Sequence, residues 1–484
     1  MIGIGAHARA TPDATAAVAG RATRSFEELD TRQRALAGLL VRHGIEVGDR
    51  IAVLASNCIE LLEVVTGALR AGVVPVPINA LLTHTEIAYQ LEDSGARWLF
   101  TDRRVDTPPS VERAVTFGDA YERCLHEAET ARSLADVLLG RPMHYTSGTT
   151  GRPKGVWVEP TSPDAATRIS EDFCRQWDLS ADDVYLVCSP LGHSAPLRFA
   201  TRTLEAGGTV VVHGRFDAAE TLAAVELFGI TTTFMVPTHL ERIFALGEVA
   251  LARHDMSSVR LLAHAGASIR PETKKRAFEL FPEESVWEFY GSTEGAFTRI
   301  STSEWRRKPG SVGTPRPGAQ ILITDEGGRS LPPHEIGTVW VHDPAAERFE
   351  YWGDRAKTQS AWRDGAFSVG DLGYLDDDGY LFLVGRGDDT IITGGVNVYP
   401  QEVEAVLMEH PAVAQVAVYG VDHDEWGQQV QAMVVPAPNA PIDAELLRSW
   451  ARERLAGFKC PRRIEVVDSL PTTPTGKIVR RPVD

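Results

Sequence analysis

The sequence predicts an α/β protein: a large N-terminal domain of parallel and mixed sheets covered by helices, then a small α+β C-terminal domain. Three observations carry this. Short β-branched runs alternate with longer helical patterns through most of the chain. The texture changes near VGRGDDTIITGG (384–395). The length, 484 residues, allows roughly three domain-sized units.

Taken in order, DRIAVLAS (49–56) reads as a strand, CIELLEVVTGALRAG (58–72) as a helix, and VVPVPI as the next strand. DVYLVCS (183–189), GTVVVHG (208–214), TTTFMVP (231–237) and SVRLLAHA (258–265) repeat the strand pattern around the helical DAAETLAAVELFG (217–229). This βαβ rhythm places ligands in loops beyond the strand ends. MHYTS (143–147) reads as one such strand. DLGYLDDDGYLFLVG reads as a hairpin with an acidic turn. LDDDGY lacks the ligand spacing and distal Glu of a calcium loop. Beyond it come the helix YPQEVEAVLMEH (399–410), two strands, the helix DAELLRSWARERL (443–455) and a strand around RRIEVV. The boundary falls at about residue 387, giving domains 1–387 and 388–484.

Composition excludes several classes. With 43% hydrophobic and 24% charged residues and no apolar run of membrane-spanning length, the chain reads as globular with no transmembrane segment. Its start lacks a secretory pattern. Five scattered cysteines without C-x-x-C point to a reducing, cytoplasmic setting and no zinc site. A net charge of −17 argues against a nucleic-acid partner, and requires local donors for any anionic ligand. Only seven of the 49 basic residues are lysines, yet Lys154 and Lys477 fall in the two most motif-like segments.

YTSGTTGRPKGV (145–156) concentrates Thr146, Ser147, Gly148, Thr149, Thr150, Gly151 and Lys154. Glycines let backbone N–H groups approach a phosphate, hydroxyls add donors and lysine supplies countercharge. A Gly/Thr surface loop shares that composition. The stretch is not a Walker A loop, because Lys154 sits between Pro153 and Gly155. Nor is GHSAP (192–196) a nucleophile elbow, since its last residue is Pro196.

This stretch resembles the phosphate-loop signature of the adenylate-forming superfamily, which includes acyl-CoA and aryl-CoA ligases, peptide-synthetase adenylation domains and beetle luciferases. HAGASI (264–269), EFYGSTEG (288–295), GSVGTPRPG (310–318), SVGDLGY (368–374), GRGDDTI (385–391) and PTTPTGKI (471–478) resemble its other motifs in order. The resemblance implies two half-reactions. A carboxylate attacks the α-phosphate of ATP, bound with Mg²⁺, giving acyl-AMP and pyrophosphate. The thiol of coenzyme A then displaces AMP.

It also implies roles. Glu294 holds Mg²⁺, and Thr293 donates to the α-phosphate or the substrate carboxylate. Tyr290 flanks the adenine, with Gly266 and Ala267 on its other side. Ala265–Ser268 departs from the Gly-Gly-Ala-Pro type run of many relatives. Asp371 accepts from the ribose hydroxyls, with Arg386 nearby. PLGHSAPL resembles the acyl-pocket segment, placing His193 beside the carboxylate; a core histidine is the bland alternative. Ala195, Met235 and Phe297 are further pocket candidates for an aryl or fatty acid. Asp388 marks the hinge of a mobile small domain, and Gly394 and Gly395 line a pantetheine channel. Trp426 and Phe458 cover the CoA adenine or serve packing. Lys477 is the catalytic lysine, and its P-x-x-x-x-G-K context implies a lysine acetyltransferase as a further partner.

Rival readings differ in their acceptor or class. An acyl-AMP ligase would deliver the acyl group to a separate carrier protein, although no carrier domain follows Lys477. An amino-acid adenylation domain calls for an acidic pocket residue that GHSAPL lacks. A luciferase-like oxidoreductase has no positive support. A non-catalytic nucleotide binder does not explain intact Lys154, Glu294, Asp371 and Lys477.

Overall fold

The computed structural model describes residues 1–128, 133–146, 153–393, 396–423, 426–438, 440–472, 478 and 480. They form two compact units. The first is Met1–Pro309 with Ala345–Ser360, and the second is Gly310–Pro344 with Ala361–Asp484.

In the first unit, one sheet runs in the order Ala296–Ile300, Val286–Gly291, Leu261–His264, Thr232–Met235, Val184–Val187, Thr209–Val212, Thr15–Ala19, Ala22–Ser25. Its interior strands are parallel, as the βαβ rhythm requires, and each edge strand named here is antiparallel. Such strands bury both faces, so their side chains feed two cores. The helix Ser194–Ala206 packs Leu197, Phe199 and Leu204 into one core. The helices Ala218–Phe228, Pro237–Phe244 and Pro271–Leu280 serve the other, through Leu222, Leu240 and Ala277 among others.

A second, wholly parallel sheet has the order Val74–Ile78, Arg50–Leu54, Trp98–Thr101, Arg113–Thr116. It includes the two strands expected around the helix Ile59–Arg70. The helix His84–Ser94 starts at a capping box, in which Thr83 accepts from the Glu86 N–H and Glu86 accepts from the Thr83 N–H. A third sheet joins His144–Thr146, Lys154–Trp157 and Glu350–Tyr351, all antiparallel.

The second unit holds two further sheets. One contains the expected hairpin, Asp371–Leu375 against Leu381–Arg386, together with Gly337–His342 and its neighbours. The other carries Val413–His423, Gly427–Pro436 and Arg463–Val466, with Pro400–Met408 and Ala444–Arg454 closing its core through Val403, Leu407, Leu447 and Ala451. The texture change near residue 387 marks the junction between these two sheets. It lies inside the second compact unit, because residues 310–344 and 361–387 group with the C-terminal part. Local texture registers a change of sheet; compactness depends on long-range contacts that no local pattern carries.

Among the described residues, no helix is long and apolar enough to cross a membrane, and no group of three or more His, Cys, Asp or Glu is placed to hold a metal.

Candidate active site

The described ends of the phosphate stretch pair antiparallel, so MHYTS belongs to the small antiparallel sheet and not to the parallel set that the βαβ rhythm led one to expect. Thr146 pairs with Lys154, Tyr145 with Gly155 and His144 with Val156, so residues 147–152 connect two strand ends. Ser147, Gly148, Thr149, Thr150 and Gly151 themselves lie outside the described residues. Side chains on the helix His84–Ser94 anchor this strand pair. The Tyr145 hydroxyl donates to Asp93 Oδ2 at 2.7 Å, and the Tyr89 hydroxyl to the Pro153 carbonyl at 3.0 Å. Gly155 lies close under the Met143 methyl, and a Cβ there would stand 2.3 Å from Met143 Cε, so that side chain would have to move.

The strand Glu350–Tyr351 pairs with Lys154–Trp157, and it and the turn after it contribute two residues that no sequence motif announces. Asp354 accepts from Lys154 Nζ at 2.8 Å. That hydrogen bond raises the Lys154 pKa and lowers that of Asp354. Tyr351 pairs with Val156 and donates its hydroxyl to Glu294 Oε1 at 2.7 Å. The two partners of the Lys154–Asp354 pair are 200 positions apart, so no spacing rule could have found it.

Glu294 is buried at the end of the loop that follows the strand Val286–Gly291. The loop is held from beneath by Arg141, whose guanidinium donates to the Thr293 and Glu294 carbonyls at 3.2 Å. Burial lowers the Arg141 pKa. Tyr290 stacks on Phe297 across the antiparallel pair, with centroids 4.7 Å apart and planes 23° apart. Gly266 follows the strand Leu261–His264 at φ +92°, a conformation that favours glycine, and Ala267 beside it is exposed.

On the acyl side, His193 is the N-cap residue of Ser194–Ala206, with Nε2 3.4 Å from Asn79 Nδ2. Burial lowers its pKa and favours the neutral ring. Asn57 fixes the preceding loop, accepting from the Leu191 N–H at 2.7 Å and donating to the Ser189 carbonyl at 3.1 Å. Ala195 packs against the core on this face. Met235 does not join it. Strand alternation sends Phe234 to that face and Met235 into the opposite core, where it is 1% exposed. Ala195 and Met235 therefore face different cores, and Phe297 lies against Tyr290.

In the second unit, Asp371 and Arg386 face each other across the hairpin, with Arg386 Nε 3.1 Å from Asp371 Oδ1. Asp388 belongs to the short 3-10 turn Gly387–Asp389. Arg480 ties the chain end to that turn and to the first helix beyond it, reaching Glu404 at 2.8 Å and Asp389 at 3.2 Å. Thr472 bridges to Ile478, bringing together the chain on either side of Lys477. Lys477, Gly394 and Gly395 lie outside the described residues. Trp426 stacks on His423 at 4.7 Å and lies under the Arg462 guanidinium at 4.4 Å. Phe458 is 42% exposed.

Comparisons with known proteins place the chain in a family. The AMP-binding enzyme model matches residues 4–349, and the AMP-binding enzyme C-terminal domain model matches 402–477. The chain is 36% identical to a feruloyl-CoA synthase from Amycolatopsis sp, covering 98% of this chain and 96% of that one. It is 34% identical to the fatty acid–[acyl-carrier-protein] ligase ScoC of Streptomyces coeruleorubidus, covering 98% and 94%. Among solved structures, o-succinylbenzoate CoA synthetase (MenE) from Bacillus subtilis with its acyl-adenylate intermediate superposes with a TM-score of 0.86. It is 29% identical, over 99% of this chain and 96% of that one. The same synthetase in complex with ATP and magnesium ion gives 0.85. The chain belongs to the AMP-binding, adenylate-forming enzyme family.

Proposed function

We propose that the chain is an AMP-forming acid–thiol ligase. It activates an aryl or fatty acid with ATP to acyl-AMP, releases pyrophosphate, and passes the acyl group to the thiol of coenzyme A. One observation carries this reading: Lys154 and the partner of Glu294, Tyr351, sit on neighbouring strands of one small sheet. A cation suited to phosphate and a carboxylate suited to a hard metal are thereby linked at the strand ends.

The residues fit Mg²⁺. Tyr351 engages Glu294 Oε1, which leaves Oε2 as a hard oxygen donor, and Mg²⁺ commonly takes one or two carboxylates beside substrate phosphates. When bound, the ion supplies charge neutralisation at the phosphates. Lys154 exchanges Asp354 for the polyphosphate, and Thr146, Ser147, Gly148, Thr149, Thr150 and Gly151 add donors. Thr293 directs a hydrogen bond to the α-phosphate or the acid. His193, neutral through burial, orients the carboxylate without cancelling its charge. Asp371 and Arg386 take the ribose, while Tyr290, Gly266 and Ala267 flank the adenine.

Lys477 bridges the carboxylate and the α-phosphate, where negative charge accumulates. The small domain, 388–484, then turns about Asp388, and Gly394 and Gly395 admit the pantetheine arm. Trp426 and Phe458 meet the CoA adenine. The same Lys477, once acetylated by a lysine acetyltransferase, would lose its charge and its function. The five free cysteines and the use of ATP and CoA suit a cytoplasmic site of action. The ScoC relative favours one second reading, in which a carrier protein replaces CoA as acceptor.

A panel of acids assayed for pyrophosphate release, with and without CoA, tests the reading. Acid-dependent release followed by thioester formation is expected. Release without thioester selects the carrier-protein acceptor. Lys477→Ala separates the half-reactions: it should lower acyl-AMP formation by at least ~10²–10³-fold. Given pre-made acyl-AMP and CoA, it should form thioester at near wild-type rate. Equal loss of both half-reactions in folded protein would remove Lys477 from the chemistry.

A further inference from the structure

The first unit contains a cationic cavity that this reaction scheme leaves without a task. Arg141, His144, Ser194, Arg198, Arg202 and Thr293 are among its walls, and its volume is about 30 Å³. Arg202 is committed to the fold, donating to Glu205 and Ser170. Arg141 directs NH groups to the Thr293 and Glu294 carbonyls, but its buried Nε has no hydrogen-bond partner among the described residues. His144 is 5% exposed, and its Nε2 also lacks a partner among them. Arg198 makes no hydrogen bond or ion pair with any described residue, and the carboxylate acting on both Arg198 and Arg141 is Glu347. Arg141 also feels Glu294, so Glu347 is the one carboxylate acting on Arg198.

Arg141 and Arg198 are half-buried, and the enclosed donors without partners among the described residues are Arg141 Nε and His144 Nε2; enclosing such donors is costly, and crowding like charges beside them adds to the cost. The titration directions reflect this. Burial, then Arg141, pushes Arg198 down to about 10, with Glu347 opposing and Arg202 adding a smaller push. His144 falls to about 3, first through burial and then through His193, Arg198 and Arg141. An anion among these groups would satisfy the spare donors and relieve the repulsion.

Position identifies the anion's source. Thr293, a wall of the cavity, is also the proposed donor to the reacting carboxylate or α-phosphate. Ser194, another wall, follows His193 in sequence. The volume suits a single small group and not a whole acid. A guanidinium fork matches a carboxylate in shape. Resting on the adenylation reading above, we propose that this cavity is a subsite for a second carboxylate of the acid substrate, with Arg198 as its specificity-determining residue. The substrate class thereby narrows to dicarboxylic acids of aryl or aliphatic type.

The test compares dicarboxylic acids with chain-matched monocarboxylic acids in the full-length protein, by acid-dependent pyrophosphate release. Wild type is expected to favour a dicarboxylate at least tenfold in kcat/KM. Arg198→Met should erase at least tenfold of that ratio, whereas Arg198→Lys should keep part of it. If Arg198→Met fails to fold, Arg198→Gln carries the same comparison. A wild-type preference for monocarboxylates overturns the subsite while leaving adenylation standing, and so does uniform loss across all acids in the folded variants. Thermal stabilisation by inorganic phosphate or chloride, without any dicarboxylate preference, assigns the cavity to free ions and also overturns it. No acid-dependent release from any acid would instead remove the adenylation reading itself.

Discussion

Glu288 lies within the strand Val286–Gly291 and Glu294 just beyond its end, yet their surroundings differ in kind. Glu288 forms an ion pair with Lys274, whose side chain is 1% exposed, against 10% for Glu288 itself. The Lys274 ammonium also lies 4.8 Å from the Trp305 ring centre. Glu294 is equally buried, but the partner on Oε1 is the neutral hydroxyl of Tyr351. In the first region a full countercharge closes the carboxylate into the fold. In the second a dipole orients the carboxylate, and the nearby cation, Arg141, acts on it through space while directing its hydrogen bonds to backbone carbonyls. A buried carboxylate marks a functional site when its partner fixes geometry without neutralising charge.

Breaking the closed pair should have the largest effect. Lys274→Met leaves Glu288 buried without its cation, and removing one partner of such a pair costs ~3–5 kcal/mol. Chemical or thermal unfolding should show that loss, while the protein that remains folded retains adenylation. A variant as stable as wild type would mean that water reaches Glu288 and that the region is not closed.

Glu294→Gln should do the opposite. The Tyr351 hydroxyl can still donate to the amide oxygen, so stability should change little. Pyrophosphate release should fall ~10²–10³-fold, the scale for losing one preorganised electrostatic group. If the loss instead appears as unfolding, Glu294 belongs with Glu288 as a structural carboxylate.

The contrast explains how much the sequence could reveal. Strands, their helices and the parallel order were legible because periodicity and Gly punctuation are local. The Asp371–Arg386 placement followed from a turn between two runs, whereas the antiparallel pairing of Thr146 with Lys154 did not, because MHYTS reads locally like any strand of the parallel sheet. Asp354, Tyr351 and Arg141 were not legible as site residues. Each reaches its partner through long-range strand pairing or burial, and a lone Asp, Tyr or Arg carries no signal of that. The face that Met235 enters was not legible for a subtler reason. The apolar run TTTFMV does not say which of two buried faces each residue enters, and only the register in the sheet decides.

The smallest effect sharpens the comparison through protons. Each region contains a histidine stripped of solvent. His264 is fully buried, with Lys274 nearby, and its pKa lies well below the ordinary value, first through burial. His144 lies beside Arg141 and Arg198, at about 3. Both are neutral in the folded chain near neutral pH. In the unfolded chain each titrates near ~6.5. Below that pH the unfolded state binds protons that the folded state refuses, so stability falls as pH drops towards the folded pKa. Above it, neither histidine contributes a pH dependence. At pH 5 each represents at most about 2 kcal/mol, because a tenfold difference in proton affinity corresponds to ~1.4 kcal/mol. Replacing His144 with Gln should therefore flatten the decline in Tm between pH 7 and 5, and replacing His264 with Gln should flatten it by a similar amount. A saturating dicarboxylate should separate them. Held near His144, it favours the imidazolium and raises its pKa, which weakens the acid sensitivity that His144 confers. It should leave the share due to His264 unchanged, because Glu288 already balances Lys274 there. Melting curves of the two variants across that pH range, with and without the acid, decide the matter. An equal response of both variants to the acid would erase the distinction between a closed and an open region.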